Sequence, residues 1–599
     1  MEDSLAPLAS PPDDQEILDN IGARMHGPMS GFIKKFFGDF QYAHEDGLFK
    51  IQTAEGISSK CAIPSTPPLP DDFLEWFSNY VARESDGARG SWHITSGDAA
   101  SEYGIPTDEA RLLLTIPASP NFNTHVKWDH VQIVGQFYRS CCICYQKGLL
   151  RLCRSAYQVF ASQPTRLFLH GFYVRGSKIE FWVFDRSGIY CSDVFDVQKD
   201  FSQFLSVILS YQRMTDREVE DNNVIKTDES GSYIILKSVP IPTVGKLYLE
   251  SKPIASREGL AGTGTTCYRA RLPRSARWDY AVKFKWRWAR ERPEDELLKL
   301  AKERDVWGAV SLEYYEELES TANLRRGLRW GTHRKFTEAH IRERRGSNKE
   351  QQRRYEADGF IQCTEDTENY FQNRILACTV TSPVGRPLQT FQSPLELLYV
   401  FRDAIECHQS LYYDAGILHQ DISPGNMIIL DERGGKPKGI LIDLDSAIEL
   451  DDEAGMGLGI TGTRPFMAIG VLKGERHTYR HDLESFLYVL LWTIVTNRTD
   501  NPPETSRLRQ WSNGDWSQLA ARKSLDVEPS GFENILGEFS PEYHSFKPLA
   551  RSLHQILFPL RDEVIWTGTD DSSRSRRKLY HDIIRAFEAA IFSERYGKT

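Results

Sequence analysis

Ile417-Leu418-His419-Gln420-Asp421-Ile422-Ser423-Pro424-Gly425-Asn426-Met427-Ile428-Ile429 is the stretch on which the reading of this 599-residue chain turns. It places an Asp and an Asn five residues apart, in a loop between a long helical pattern at Ser393 to Tyr413 and a β-rich segment. Phosphoryl transfer to a hydroxyl needs such a pair. The carboxylate orients the acceptor and takes its proton, while the carboxamide holds a Mg²⁺ that shields the phosphates. Asp421 alone would read as a helix cap or a loop residue. A second motif changes that weighting. Seventeen residues after Asn426, the run Gly439-Ile440-Leu441-Ile442-Asp443-Leu444-Asp445-Ser446-Ala447 delivers Asp443 at the end of an apolar strand, the usual placement for a second metal-binding carboxylate.

Upstream, Tyr280-Ala281-Val282-Lys283 has the pattern of a strand whose Lys meets the α/β-phosphates of a nucleotide. It lies 16 residues after Cys267, which closes Gly262-Thr263-Gly264-Thr265-Thr266-Cys267. Gly262 and Gly264 would let backbone N–H groups come close to phosphate. Glu296, 13 residues after Lys283 on a helical segment near 294–304, is the expected ion-pair partner of that Lys, with Glu294 and Glu303 as rivals. Downstream, Thr461-Gly462-Thr463-Arg464-Pro465-Phe466-Met467-Ala468 precedes His481-Asp482-Leu483-Glu484-Ser485, which opens a very apolar helix.

Together these motifs resemble the protein-kinase fold, and their wording resembles the fungal-type protein kinase family. The closer likeness rests on His419 to Ser423, Leu441 to Asp445, Gly462 to Ala468 and His481 to Ser485; Phe168 to Gly171 and Asp185-Arg186-Ser187-Gly188 resemble that family's amino-terminal portion. The likeness covers about residues 120–525. It implies an α+β, two-lobed architecture, with a β-rich N-lobe at 233–381 and a helical C-lobe at 382–599, and an ATP- and Mg²⁺-dependent kinase of the serine/threonine type. Asp421 would be catalytic. Gly262, Gly264, Lys283, Glu296, Asn426 and Asp443 would bind the nucleotide, with Asn426 and Asp443 on the metal. Asp482 would cap the backbone of the catalytic loop. A protein hydroxyl would be the acceptor. Two other readings stay open, a pseudokinase scaffold and a small-molecule phosphotransferase of the choline or aminoglycoside kinase type. Several residues depart from the family pattern. Gln420 replaces an Arg that would clamp a phosphorylated loop. Ser423 replaces a Lys, Asp445 stands where a Gly is usual, the glycine loop lacks its third Gly, and Gly470 takes the place of a Glu.

Composition agrees with an ordinary globular protein. There are 73 Lys+Arg against 83 Asp+Glu, a formal charge of −10, and 40% of residues are hydrophobic. The longest apolar run, Phe486 to Val495, is about half a membrane span. No secretory signal opens the chain, and its ten Cys read as reduced thiols. An intracellular location, cytoplasmic or nuclear, with no membrane association is expected. Residues 1–70 are punctuated by Pro and read as a mobile tail with one short helix near Ile17 to Met25; 71–215 reads as a smaller α+β module. A basic insertion is expected at about 311–369, because 323–354 holds 11 Lys+Arg against three Glu. With no aromatic ladder beside it, this reads as a solvated segment rather than a nucleic-acid surface, which stays open. Gly457-Leu458-Gly459-Ile460-Thr461-Gly462 matches a dinucleotide pattern but follows an acidic loop rather than a strand, so that reading fails. Cys141 and Cys144 lack a second pair at zinc spacing. Gln136 and Tyr138 stand where a nuclease would need Glu and Lys.

Overall fold

The structure, a computed structural model, describes residues 12–38, 42–45, 48–53, 56–64, 66–82, 90–96, 108–116, 126–140, 145–215, 224–237, 245–257, 259–330, 371–430, 438–450 and 461–597. Cys141 and Cys144, Gly457 and Gly459, and the part of the basic segment beyond 330 lie outside these residues.

Apolar runs broken by short turns build the amino-terminal sheet. Phe168–Arg175 and Lys178–Asp185 form a hairpin whose turn needs the left-handed Gly176, at φ 56°. Val131–Tyr138 lies parallel to Phe168–Arg175, so the chain must cross over, and helix Tyr145–Ser162 makes that crossing. Its Leu149, Leu152, Ala156, Val159 and Phe160 are buried, the face expected from their spacing. Glu109–Thr115 and Ser91–Ser96 extend one edge, and Gly188–Cys191 extends the other.

Residues 12–38 correct the expectation of a loose tail. Helix Asp14–Ile21 starts with a capping box between Asp13 and Glu16, and it buries Ile17 and Ile21. Met25–His26 then adds a parallel strand beside Gly188–Cys191. Residues 14–26 thus pack onto the amino-terminal sheet and its crossing helix.

A second, antiparallel sheet has the order Lys226–Asp228, Gly231–Ile235, Lys246–Leu249, Thr266–Arg271, Tyr280–Trp288, Arg374–Ser382, Ser311–Ser320. The last of these shortens the predicted insertion. Residues 311–320 are an edge strand paired with Arg374–Ser382, and helix Thr321–Leu324 follows it directly. Beyond the sheet the chain is mainly helical, with Pro394–Asp414, Tyr479–Thr496, Trp516–Asp526, Pro529–Gly537, Lys547–Leu557 and Ser573–Tyr596 around one apolar core. That core also takes in Leu297, Leu298 and Ala301 of helix Glu294–Glu303. A separate apolar cluster joins the two sheets, from Phe172 and Tyr190 of the first to Leu247, Phe284 and Trp286 of the second. The fold is mixed α+β. No helix among the described residues is long and apolar enough to cross a membrane.

Candidate active site

Alternation along Tyr280–Trp288 sets the site. Val282, Phe284 and Trp286 are buried, which turns Lys283 and Lys285 together toward the opposite face. On that face Lys283 Nζ donates to Glu294 Oε2 at 3.0 Å, to Asp443 Oδ1 at 2.9 Å, and to Asp445 Oδ2. Lys285 Nζ lies 2.7 Å from the same Asp445 carboxylate.

The glutamate is not the one expected first. Glu294 opens helix Glu294–Glu303 and shares a buried face with Leu297, Leu298 and Ala301. Glu296 is rotated by about 200° from it on a helix of 3.6 residues per turn. It points outward and pairs with Arg292 at 2.9 Å. Glu303 lies roughly 13 Å further along the axis. Glu294 also accepts the Leu444 N–H at 3.2 Å, so one carboxylate ties the Lys strand to the strand end that carries Asp443.

Pairing of Met427–Ile429 with Gly439–Leu441 brings the two loop motifs side by side. Ile442 N–H donates to the Asn426 carbonyl at 3.0 Å, and the ring of buried His419 meets the Ile442 carbonyl at 3.1 Å. The Asn426 carboxamide donates to the Asp421 carbonyl at 2.9 Å and to its Oδ2 at 3.2 Å. Asp421 Oδ1 accepts both the N–H and the hydroxyl of Thr463, each at 2.7 Å. Gln420 and Asp443 have left-handed backbones, at φ 64° and 66°. Asp482 supports the first of these by accepting the Gln420 N–H at 3.1 Å, while also meeting His408 at 2.9 Å and His477 at 2.7 Å.

Electrostatics follow from this crowding. Burial works against the Lys283 charge, but Asp443, Asp445 and Glu294 outweigh it and hold its pKa well above the usual lysine range. Burial also opposes ionisation of Asp443, yet Lys283 keeps its carboxyl below the ordinary value. Glu294 and Asp445 are displaced upward, by burial first and then by neighbouring carboxylates. The ligand oxygens of Glu294, Asp443 and Asp445 lie within 4.8 Å of one another, a separation one divalent cation could span. Neither Lys285 nor Asp445 is assigned a role from the sequence alone. The signal is there, since Lys285 is two residues from Lys283 on a strand and Asp445 two from Asp443.

The departure at Gly470 has a structural counterpart. A Cβ there would lie 2.5 Å from the buried His481 Nε2. Glu484 instead holds the segment, accepting the Ile469 N–H at 2.7 Å and Arg480 at 2.7 Å. Gly262 and Gly264 are both left-handed, at φ 117° and 47°, but they face the amino-terminal module, where the Gly262 N–H donates to the Arg186 carbonyl at 2.8 Å. Comparison with curated proteins finds no match. A family model described as fungal protein kinase matches residues 115–494, more than half of the chain, and spans the amino-terminal sheet from its Val131–Tyr138 strand, the Lys strand and both loop motifs. With the Lys, the paired glutamate and the Asp-Asn loop now placed together, the chain belongs to the fungal protein kinase family.

Proposed function

We propose that the protein transfers the γ-phosphoryl group of ATP to serine or threonine hydroxyls of protein substrates, in a two-lobed arrangement with the second sheet above and the helices below. The observation that carries this reading is the meeting of Lys283, Glu294 and Asp443 from a strand, a helix and a loop. Asn426 and Asp443, with Asp445 beside them, would hold Mg²⁺, which when bound neutralises charge on the phosphates. Lys283 would exchange carboxylate partners for the α/β-phosphates, and Glu294 would keep its ammonium in place during the exchange. Asp421 would accept the acceptor's proton. Its contact with the Thr463 hydroxyl supports that role, because the same oxygen already accepts an aliphatic hydroxyl at 2.7 Å. Catalysis would then rest on positioning and charge neutralisation, with no covalent enzyme intermediate.

The test is transfer of labelled phosphate from ATP to mixed protein substrates, with and without Mg²⁺. Asp421→Asn should remove transfer and leave nucleotide binding near wild type, whereas Asp443→Ala should weaken metal-dependent binding and transfer together. Wild-type turnover by Asp421→Asn would refute the assignment of that residue. Nucleotide binding of equal strength without metal would favour the scaffold reading. Phosphorylation of amino alcohols or aminoglycosides instead of proteins would favour the small-molecule one.

A further inference from the structure

Residues 259–264 reach out of the second sheet and dock on the amino-terminal module. The Asn20 carboxamide makes a reciprocal pair with Ala261. Its Oδ1 accepts the Ala261 N–H at 2.8 Å and its Nδ2 donates to the Ala261 carbonyl at 3.0 Å. The Gly262 N–H goes to the Arg186 carbonyl at 2.8 Å, and the Arg186 guanidinium donates to the Gly259 carbonyl. Leu260, only 2% exposed, sits in the module's own apolar cluster with Ile17, Ile21 and Phe160. Gly264 packs directly on the Arg186 side chain, since a Cβ there would lie 2.6 Å from the guanidinium carbon. That cation stacks on Phe160, with 4.5 Å to the ring centroid.

This contact has a chemical consequence. A glycine loop cradles phosphate with main-chain N–H groups, and each N–H makes one good hydrogen bond. Ala261 and Gly262 both direct theirs to the module. We infer that Asn20 and Arg186 are positioning residues that latch the nucleotide loop on the amino-terminal module and withhold it from phosphate, so that nucleotide must compete with the latch. The inference rests on the ATP-dependent reading of the site. The loop is the part that moves. The module shares an apolar core with the second sheet and is pinned by the buried Asp185–Arg325 pair, whereas the latch is a few hydrogen bonds and one leucine. Breaking it is the less costly motion.

Asn20→Ala keeps helix Asp14–Ile21 intact, because Ala is the best helix former, while removing both contacts to Ala261. Leu260→Ala removes the anchoring side chain from the other partner. In the full chain, each should tighten binding of Mg²⁺ with a non-hydrolysable ATP analogue by roughly tenfold, lowering KM for ATP with little change in kcat. In nucleotide-free protein, amide exchange over 259–264 should speed up in both variants. Asn20→Asp, which keeps the acceptor and loses the donor, should fall between. Unchanged or weaker nucleotide binding in Asn20→Ala and Leu260→Ala, with wild type still binding and Asp443→Ala not, would overturn the latch alone. Absence of nucleotide binding in wild type and in both latch variants would overturn the ATP reading itself, and the latch with it.

Discussion

About half a turn of helix separates the two glutamates that compete for Lys283, and the structure decides between them. Glu294 lies three and four residues before Leu297 and Leu298, so the apolar face of the helix already marks it as inward. Counting residues from Lys283 alone points to Glu296, which faces Arg292 and water. The meeting of the two loop motifs follows more directly from their wording, because Asp421, Asn426 and Asp443 occur in one continuous pattern of loop and strand. The glycine loop is the least legible. Its spacing identifies Gly262 and Gly264, but no local signal reveals that the neighbouring Ala261 binds a helix residue 241 positions away. From this geometry, Glu294→Gln should lower kcat/KM for ATP by at least about tenfold, since it removes a charged hydrogen bond worth roughly 1.5–3 kcal/mol. Glu296→Gln should stay within about twofold, because exposed ion pairs contribute little. Steady-state kinetics on the two variants checks both outcomes, and the reverse ranking would return the role to Glu296.

Among the elements, helix Tyr479–Thr496 connects stability most directly to the site. It is buried along nearly its whole length, and Asp482 in its first turn accepts the Gln420 N–H and meets two histidines. The sequence locates this helix and its Asp because an apolar run this long has few alternatives. Strand Ser311–Ser320 shows the opposite case. Its Glu-Tyr-Tyr-Glu-Glu-Leu-Glu stretch reads as a polar insertion, yet it forms the edge of the sheet, where one side of the strand faces solvent and charge is tolerated. Burial opposes ionisation of Asp482, but His477 and His408 hold its carboxyl far below the ordinary 3.8. A depressed carboxyl stabilises the fold fully above the unfolded value and loses that contribution as pH falls toward the folded one. Asp482→Asn should therefore cost about 1.5–3 kcal/mol near neutrality, the range for a hydrogen bond to a charged group. The gap to wild type should close as pH drops below 3.8. Urea unfolding of both proteins across pH measures it, and a gap that widened in acid would contradict the assignment.

At the scale of the whole molecule, the amino-terminal module and the second sheet behave as one packed body, because their apolar residues form one cluster. Polar contacts fix how they meet. Asp185, at the end of strand Lys178–Asp185 in the first sheet, accepts from both Nε and Nη2 of Arg325 at 2.6 Å, and neither side chain is more than 1% exposed. Arg325 is also enclosed by aromatic rings, with Phe371 4.3 Å and Trp330 4.6 Å from its guanidinium. Ser187 adds a 2.8 Å bond to Thr321. Residues 321–325 and Gln372 thus both contact the module, which no composition shift in the sequence could reveal, since Asp185 and Arg325 are 140 residues apart. Arg325→Met keeps most of the side-chain volume but leaves the Asp185 carboxylate buried with, among the described residues, only the Ser187 N–H, at 2.8 Å, still donating to it. Loss of one partner from a buried pair typically costs about 3–5 kcal/mol, whereas replacing both by uncharged groups is close to neutral. Arg325→Met should accordingly lower the unfolding midpoint of the full chain sharply, and the double variant Asp185→Asn with Arg325→Met should recover most of the loss. Chemical unfolding of the three proteins decides the matter. A single variant within about 0.5 kcal/mol of wild type, the range of ordinary surface substitutions, would mean that the apolar cluster alone joins module and sheet.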